Sequence, residues 1–177
     1  MKKPKTCGFI CYGVSSSTNS SYENQIFSGP LKTLLSNEVE SAIKEGYSHF
    51  ICSFSLGFDT CFVEAVIVLR ERYPKIALEA ALAYENQADH WSEKDRDRHF
   101  RLLAMCDRET FISRNYAKNC YLNRNRYIVE QSQRLIAVCD GRFGGAMHAV
   151  NWAKARNAEV IVINPATYRV IRENILK

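Results

Sequence analysis

No two cysteines form a C-x-x-C pair, no histidines cluster, no apolar run approaches the ~20 residues that cross a bilayer, and no segment repeats. Each absence removes a class of protein. The seven cysteines, Cys7, Cys11, Cys52, Cys61, Cys106, Cys120 and Cys139, are odd in number and scattered, in a chain too large to need a disulfide frame. Several lie in apolar runs such as Phe9-Ile10-Cys11 and Ala137-Val138-Cys139, where a thiol behaves as a small hydrophobe. They read as reduced core thiols. His49, His90, His99 and His148 are equally dispersed, so zinc spacing is missing and no metal site is expected. Met1-Lys2-Lys3-Pro4-Lys5 is basic, but the apolar run behind it is short and broken by Gly8 and Gly13, which makes a poor secretion signal. A cytoplasmic chain without a membrane segment is expected.

What is present suits a globular domain: 177 residues, 46% hydrophobic and 24% charged, which fits one domain over residues 1–177. The formal charge of +5 suits a phosphate-bearing partner without demanding nucleic acid. Short apolar runs, Thr6–Tyr12, His49–Ser53, Ile76–Leu82, Thr110–Ser113, Leu135–Cys139 and Val160–Ile163, read as strands, most of them buried on both faces. Between them Leu31, Leu34, Leu35, Ala42 and Ile43 share a helical face that stops at Gly46. Phe62, Ala65, Val66 and Leu69 repeat the pattern, as do Ala146, Ala149, Val150 and Ala153. A capping box at Ser92-Glu93-Lys94-Asp95 opens another helix, and one more spans about Asn119 to Ser132. The alternation predicts an α/β fold, a mostly parallel central sheet between two helical layers.

In such a sheet ligands bind beyond the carboxyl ends of the strands, where the winding reverses. The first strand ends at Gly13, Ser15 and a serine-rich stretch, either a solvated loop or a flap over the crevice. The second ends in Cys52-Ser53-Phe54-Ser55-Leu56-Gly57-Phe58-Asp59-Thr60 and the fifth in Asp140-Gly141-Arg142-Phe143-Gly144-Gly145. Both loops open helices whose free backbone N–H groups attract anions, and glycine lets that backbone approach a ligand. Asp59 is either a first-turn charge or a carboxylate for a ribose hydroxyl or base. Glu64, among Val63, Ala65 and Val66, either reaches the crevice mouth or points outward. Arg124 and Arg126 diverge by roughly 200° on a helical wheel, so one grips an anion while the other pairs with an acid or packs over Tyr127.

The ordered set Leu56-Gly57-Phe58-Asp59-Thr60 with Glu64, Ala83-Tyr84-Glu85-Asn86-Gln87-Ala88 with Trp91, Asn123-Arg124-Asn125-Arg126-Tyr127 and Asp140-Gly141-Arg142-Phe143-Gly144-Gly145 resembles the SLOG superfamily, specifically its YpsA-like branch. The resemblance implies a Rossmann-like fold and a pocket for a nucleotide, ADP-ribose or an NAD-like molecule, with no established reaction. It would place Gly57, Asp59, Arg126, Asp140, Gly144 and Gly145 on that pocket. Two departures stand out. Relatives usually follow the first strand with Gly-His-Arg-Pro, and this chain has Gly13-Val14-Ser15-Ser16; they follow the second with Ser-Gly, and this chain has Cys52-Ser53.

Three functions compete. A binding or sensing module needs only the glycine turns, Asp59 and an arginine. A phosphoribohydrolase would want Gly-Gly-x-Gly-Thr-x-x-Glu, and Gly144-Gly145-Ala146-Met147-His148-Ala149-Val150 has neither the threonine nor the glutamate. Single-stranded nucleic-acid binding would want a basic groove with aromatics, but Arg96, Arg98, Arg101 and Arg108, with His99 and Phe100, are offset by Glu93, Asp95, Asp97 and Asp107. That segment reads as a solvated helix. The binding module is the expected function. Self-association through an edge strand or an exposed helix is open, since no patch announces itself.

Overall fold

Along β1 (Lys5–Cys11) the side chains alternate between two helical layers, as the pleat requires. Cys7 and Phe9 enter one core and Ile10 the other. The computed structural model describes residues 4–12 and 29–173. After β1 come α1 (Gly29–Lys44), β2 (Tyr47–Cys52), α2 (Phe58–Arg70), β3 (Ala77–Leu82), α3 (Glu93–Leu103) and β4 (Arg108–Phe111). There follow α4 (Cys120–Gln131), β5 (Arg134–Val138), α5 (Gly145–Ala155), β6 (Glu159–Ile163) and β7 (Val170–Glu173). The strands form one sheet in the order β4-β3-β2-β1-β5-β6-β7, parallel except for the antiparallel β6–β7 pair. The winding therefore reverses between β1 and β5.

The expected α/β architecture is the one observed, with a mostly parallel sheet between helices. Helices α1 and α2 cover the face that carries Phe9, where Phe9 and Phe62 stack with centroids 4.4 Å apart. Helices α4 and α5 cover the other. Three details differ from the sequence reading. The fourth strand runs over Arg108–Phe111 rather than Thr110–Ser113, and it is an edge strand, mostly exposed rather than buried on both faces. A seventh strand, Val170–Glu173, joins the opposite edge. Helix α3 is not simply solvated: His99, Leu102 and Leu103 are buried, although its Ser92 cap does accept from the Asp95 backbone N–H. Five of the cysteines are buried, and Cys11 and Cys106 are partly so. No helix among the described residues is long and apolar enough to cross a membrane.

Helix α4 reaches β1 because Gly8 has no side chain. A Cβ there would stand 2.4 Å from Ser132 Oγ and 2.9 Å from Ile128 Cγ2, inside any tolerable contact. Under the same helix runs a buried polar row. Thr6 Oγ1 meets His49 Nδ1 at 3.1 Å, His49 Nε2 lies 2.9 Å from Glu79 Oε2, and Thr110 and Tyr127 each donate to Glu79 Oε1 at 2.7 Å. Burial alone would raise the Glu79 pKa. The bonds from His49, Thr110 and Tyr127, with the charge of Arg108, outweigh it and lower the value to about 2. A carboxylate held this low contributes stability above its unfolded pKa and loses it as pH falls toward the folded value.

Two outcomes follow from this packing. Gly8→Ala should destabilise the protein by about 1–3 kcal/mol in urea unfolding, and Ser132→Ala in the same chain should return part of that loss. Glu79→Gln should be less stable at pH 7 and lose less stability than the parent between pH 5 and pH 2, measured by the urea midpoint at each pH.

Candidate functional site

All parallel strands deliver their carboxyl ends to one edge of the sheet, and the winding reversal between β1 and β5 opens a crevice there. Tyr12, whose N–H bonds Val138 O at 3.1 Å, carries the β1 backbone into it. Tyr12, Cys139, Phe143, Gly144 and Met147 are among the residues that line a cavity of about 190 Å³ at this point. That is smaller than the ~300–1,000 Å³ of typical small-molecule sites, so it admits the head of a ligand rather than a whole one. The free N–H groups of α5 point to it from Gly144 and Gly145, and the first turn of α5 holds no acidic residue to compete for them.

The loop from β2 to α2 forms the next wall, and it is held in an unusual shape. Phe54 is buried with φ 51°, and Gly57 has φ 96°, a conformation that favours glycine. Gln87 fixes Phe54 by donating to its carbonyl at 3.2 Å while accepting from Ala83 N–H at 2.9 Å. The backbone of Phe54 also bonds His99, whose pKa burial lowers despite that bond. Asp59 holds the other side of the loop. It is 0% exposed, Oδ2 accepts from Ser53 Oγ and from Ser55 N–H at 2.7 Å, and Oδ1 faces the thiols of Cys52 at 3.5 Å and Cys11 at 3.6 Å. Burial raises its pKa, against the opposing effects of the Ser53 hydroxyl, the Arg124 charge and the Ser55 N–H. Such a carboxylate is fully engaged by the protein. It positions the loop and does not offer a free oxygen to a ribose.

Arg124 closes the crevice from α4. Its guanidinium is 7% exposed and donates to Ser55 Oγ at 2.9 Å and to Asn125 Oδ1 at 3.0 Å and 3.3 Å. It also lies over the Tyr121 ring at 5.4 Å. Among the described residues no carboxylate comes within ion-pair distance of it. Another buried arginine, Arg134, shows the usual arrangement. At 1% exposure it is clamped by Glu45 and Glu159 over the Tyr47 ring, at the opposite edge of the sheet. Arg124 has only neutral acceptors in direct contact, so its charge remains available to an anion.

The structure brings together Ser53, Asp59, Arg124, Gly144 and Gly145, with a Gly145 Cβ position 3.5 Å from Asn125 Nδ2. Gly57 opens α2 at the same edge. Asp140 braces the β5–α5 loop by accepting from Arg142 N–H at 3.1 Å, and Gly141 turns there with φ 86°. Two expected residues point elsewhere. Arg126 lies 4.2 Å over the Trp152 ring of α5 and 3.9 Å from Glu130, away from the crevice. Glu64 is drawn to Arg98 of α3 at 2.6 Å and to Lys32 of α1 at 3.8 Å, bracing the flanking helices. His148 is exposed and stands edge-on to Trp152. Gly13, Ser15 and the serine-rich stretch lie outside the described residues. Ser55, Gln87, Asn125 and Tyr121 went unnoticed as site residues; Tyr121 three positions before Arg124 is the helical spacing that marks the inward arginine.

Relatives agree with this architecture. A UPF0398 protein of Bacillus licheniformis is 25% identical over 127 residues, covering 70% of this chain and 69% of its own. A UPF0398 protein of Bacillus thuringiensis is 23% identical over 132 residues, covering 73% and 72%. Among solved structures, DNA processing protein A of Streptococcus pneumoniae superposes with a TM-score of 0.54 at 12% identity, and that of Helicobacter pylori, described for its single-stranded DNA binding mode, with 0.55 at 17%. The match covers 91% of this chain in both cases but only 50% and 66% of those proteins, so the likeness is one of fold. With the model of the family matching residues 22–164, the chain belongs to the YspA SLOG family.

Proposed function

We infer that the crevice binds the phosphate-bearing part of a nucleotide or nucleotide-derived molecule, such as ADP-ribose or an NAD-like compound. One observation carries the reading: a buried guanidinium, Arg124, without a carboxylate within ion-pair distance among the described residues, facing the same edge as the N-termini of α2 and α5. Burying a charge is costly unless it is compensated; in direct contact Arg124 meets only the neutral oxygens of Ser55 and Asn125, with the Asp59 carboxyl acting on it from the far side of Ser55. An anion at Gly144–Gly145 would complete the arrangement. The loop geometry is fixed in advance by Asp59 and Gln87, so little ordering is left for the binding event.

Binding or sensing fits these residues better than turnover. His148, beside Gly144–Gly145, faces out against Trp152, Asp140 is engaged by Arg142, and no carboxylate among the described residues lies within ion-pair distance of Arg124. The likeness to DNA processing protein A leaves a nucleic-acid partner as the competing reading. Its specific requirement is several contacts along a strand, which a mononucleotide cannot satisfy.

A thermal-shift panel of ADP, ADP-ribose and NAD tests the reading. At least one should raise the melting temperature. Arg124→Ala should reduce affinity for it at least about tenfold, the scale of a lost hydrogen bond to a charged group. Arg126→Ala should leave binding unchanged and alter stability by less than about 1 kcal/mol, since it removes only a surface pair and a ring contact. Asp59→Ala should fold and yet bind poorly, because it releases Ser53 and Ser55. No stabilisation by any member of the panel would remove the reading.

A further inference from the structure

Beyond Arg124 the same edge carries a row of tyrosines. Tyr121 stands edge-on to Tyr84 with centroids 6.0 Å apart, and Tyr84 to Tyr116 at 5.6 Å. The Tyr84 and Tyr121 hydroxyls are 3.3 Å apart. Tyr121 is 45% exposed and Tyr116 69%, so ring surface remains open at the crevice edge. The row is not a loose loop feature. Past the ends of β3 and β4 the chains stay paired through Ile112 N–H to Leu82 O at 2.9 Å and Ser113 N–H to Ala83 O at 3.1 Å. Gln87, which pins the β2–α2 loop, also pins Ala83 beside Tyr84.

At the outer end of the row lies a second cavity, of about 440 Å³, lined by Tyr84 and Tyr116 with Asn86, Asp89, His90 and Arg114 among its polar groups. The Asp89 carboxylate, the two-sided amide of Asn86 and the guanidinium of Arg114 offer acceptors and donors to the edge of a heterocycle. Aromatic side chains are suited to stack on such a ring. The Arg124 end offers a cation in direct contact with neutral groups only. The two ends therefore fix an orientation along the edge.

We propose that the Tyr121–Tyr84–Tyr116 row is a base-stacking subsite, so that the ligand carries a heteroaromatic base whose ring lies toward Tyr116 while its phosphate lies at Arg124. This rests on the crevice reading and narrows it, excluding sugar phosphates and bare polyphosphates as the preferred ligand. Tyr121, in contact with Arg124 and edge-on to Tyr84, connects the row to the guanidinium.

Isothermal titration of the full chain with ADP, ribose 5-phosphate, pyrophosphate and hexathymidylate separates the outcomes. ADP should bind at least about fivefold more tightly than either base-free probe, the smallest effect expected of one base–aromatic stack. Tyr116→Ala should erase most of that preference and leave pyrophosphate affinity unchanged. Tyr116→Phe should restore it, because the ring is kept. Arg124→Ala should weaken ADP and pyrophosphate alike. Equal binding of ADP and pyrophosphate, indifferent to the tyrosine variants, would overturn the stacking subsite and leave the crevice standing. Binding of none of the mononucleotide probes would overturn both. Tight binding of hexathymidylate alone would overturn the mononucleotide assignment in favour of a strand.

Discussion

The carboxylate of Asp59 holds the strand-tip edge in shape. It is closed off from solvent, and it gathers Ser53, the Ser55 backbone and two thiols around its two oxygens. Without it, neither the left-handed turn at Phe54 nor the placement of Ser55 under Arg124 has a reason to persist. The raised pKa of Asp59 gives the sign of its contribution. Stability from this group is greatest when it is protonated and is lost as pH rises through the folded value. A group that holds geometry at the expense of stability is what a binding edge is expected to contain.

Glu79, on the opposite face of the sheet, behaves in the reverse sense. Its three hydrogen-bond donors more than offset burial, and its charge strengthens the fold at neutral pH. The two buried arginines divide in the same way. Arg134 is ion-paired with Glu45 and Glu159 at the edge where the strands begin, while Arg124 meets only Ser55 and Asn125 in direct contact where they end. The buried arginine that serves the fold meets two carboxylates, and the one at the strand tips meets none directly.

Most of the architecture was legible in the residues because buried parallel strands are nearly continuous apolar runs, as in Arg134–Val138 and Glu159–Ile163. β7 was not, because Val170-Ile-Arg-Glu is short, polar at one end and largely exposed. The shift of β4 hides for a related reason: an exposed edge strand has little apolar pattern to betray its limits. At the site, helical geometry separates Arg124 from Arg126 but does not rank them. The ranking lay in their neighbours. Arg126 has Glu130 four residues on, a solvent-facing pair, and Arg124 has Tyr121 three residues back. Asp59 sits in the first turn of α2, one of its two readings, but no sequence pattern shows that Ser53, Ser55, Cys11 and Cys52 converge on its carboxylate.

The free charge of Arg124 is most directly tested by following arginine side-chain Nε–H signals in ¹⁵N–¹H spectra as ADP is added. The Arg124 signal should shift together with the amides of Ser55, Gly144 and Gly145, while that of Arg134 stays in place. An Arg124 signal unmoved at saturating ADP, or shifts confined to the Arg134 edge, would contradict it.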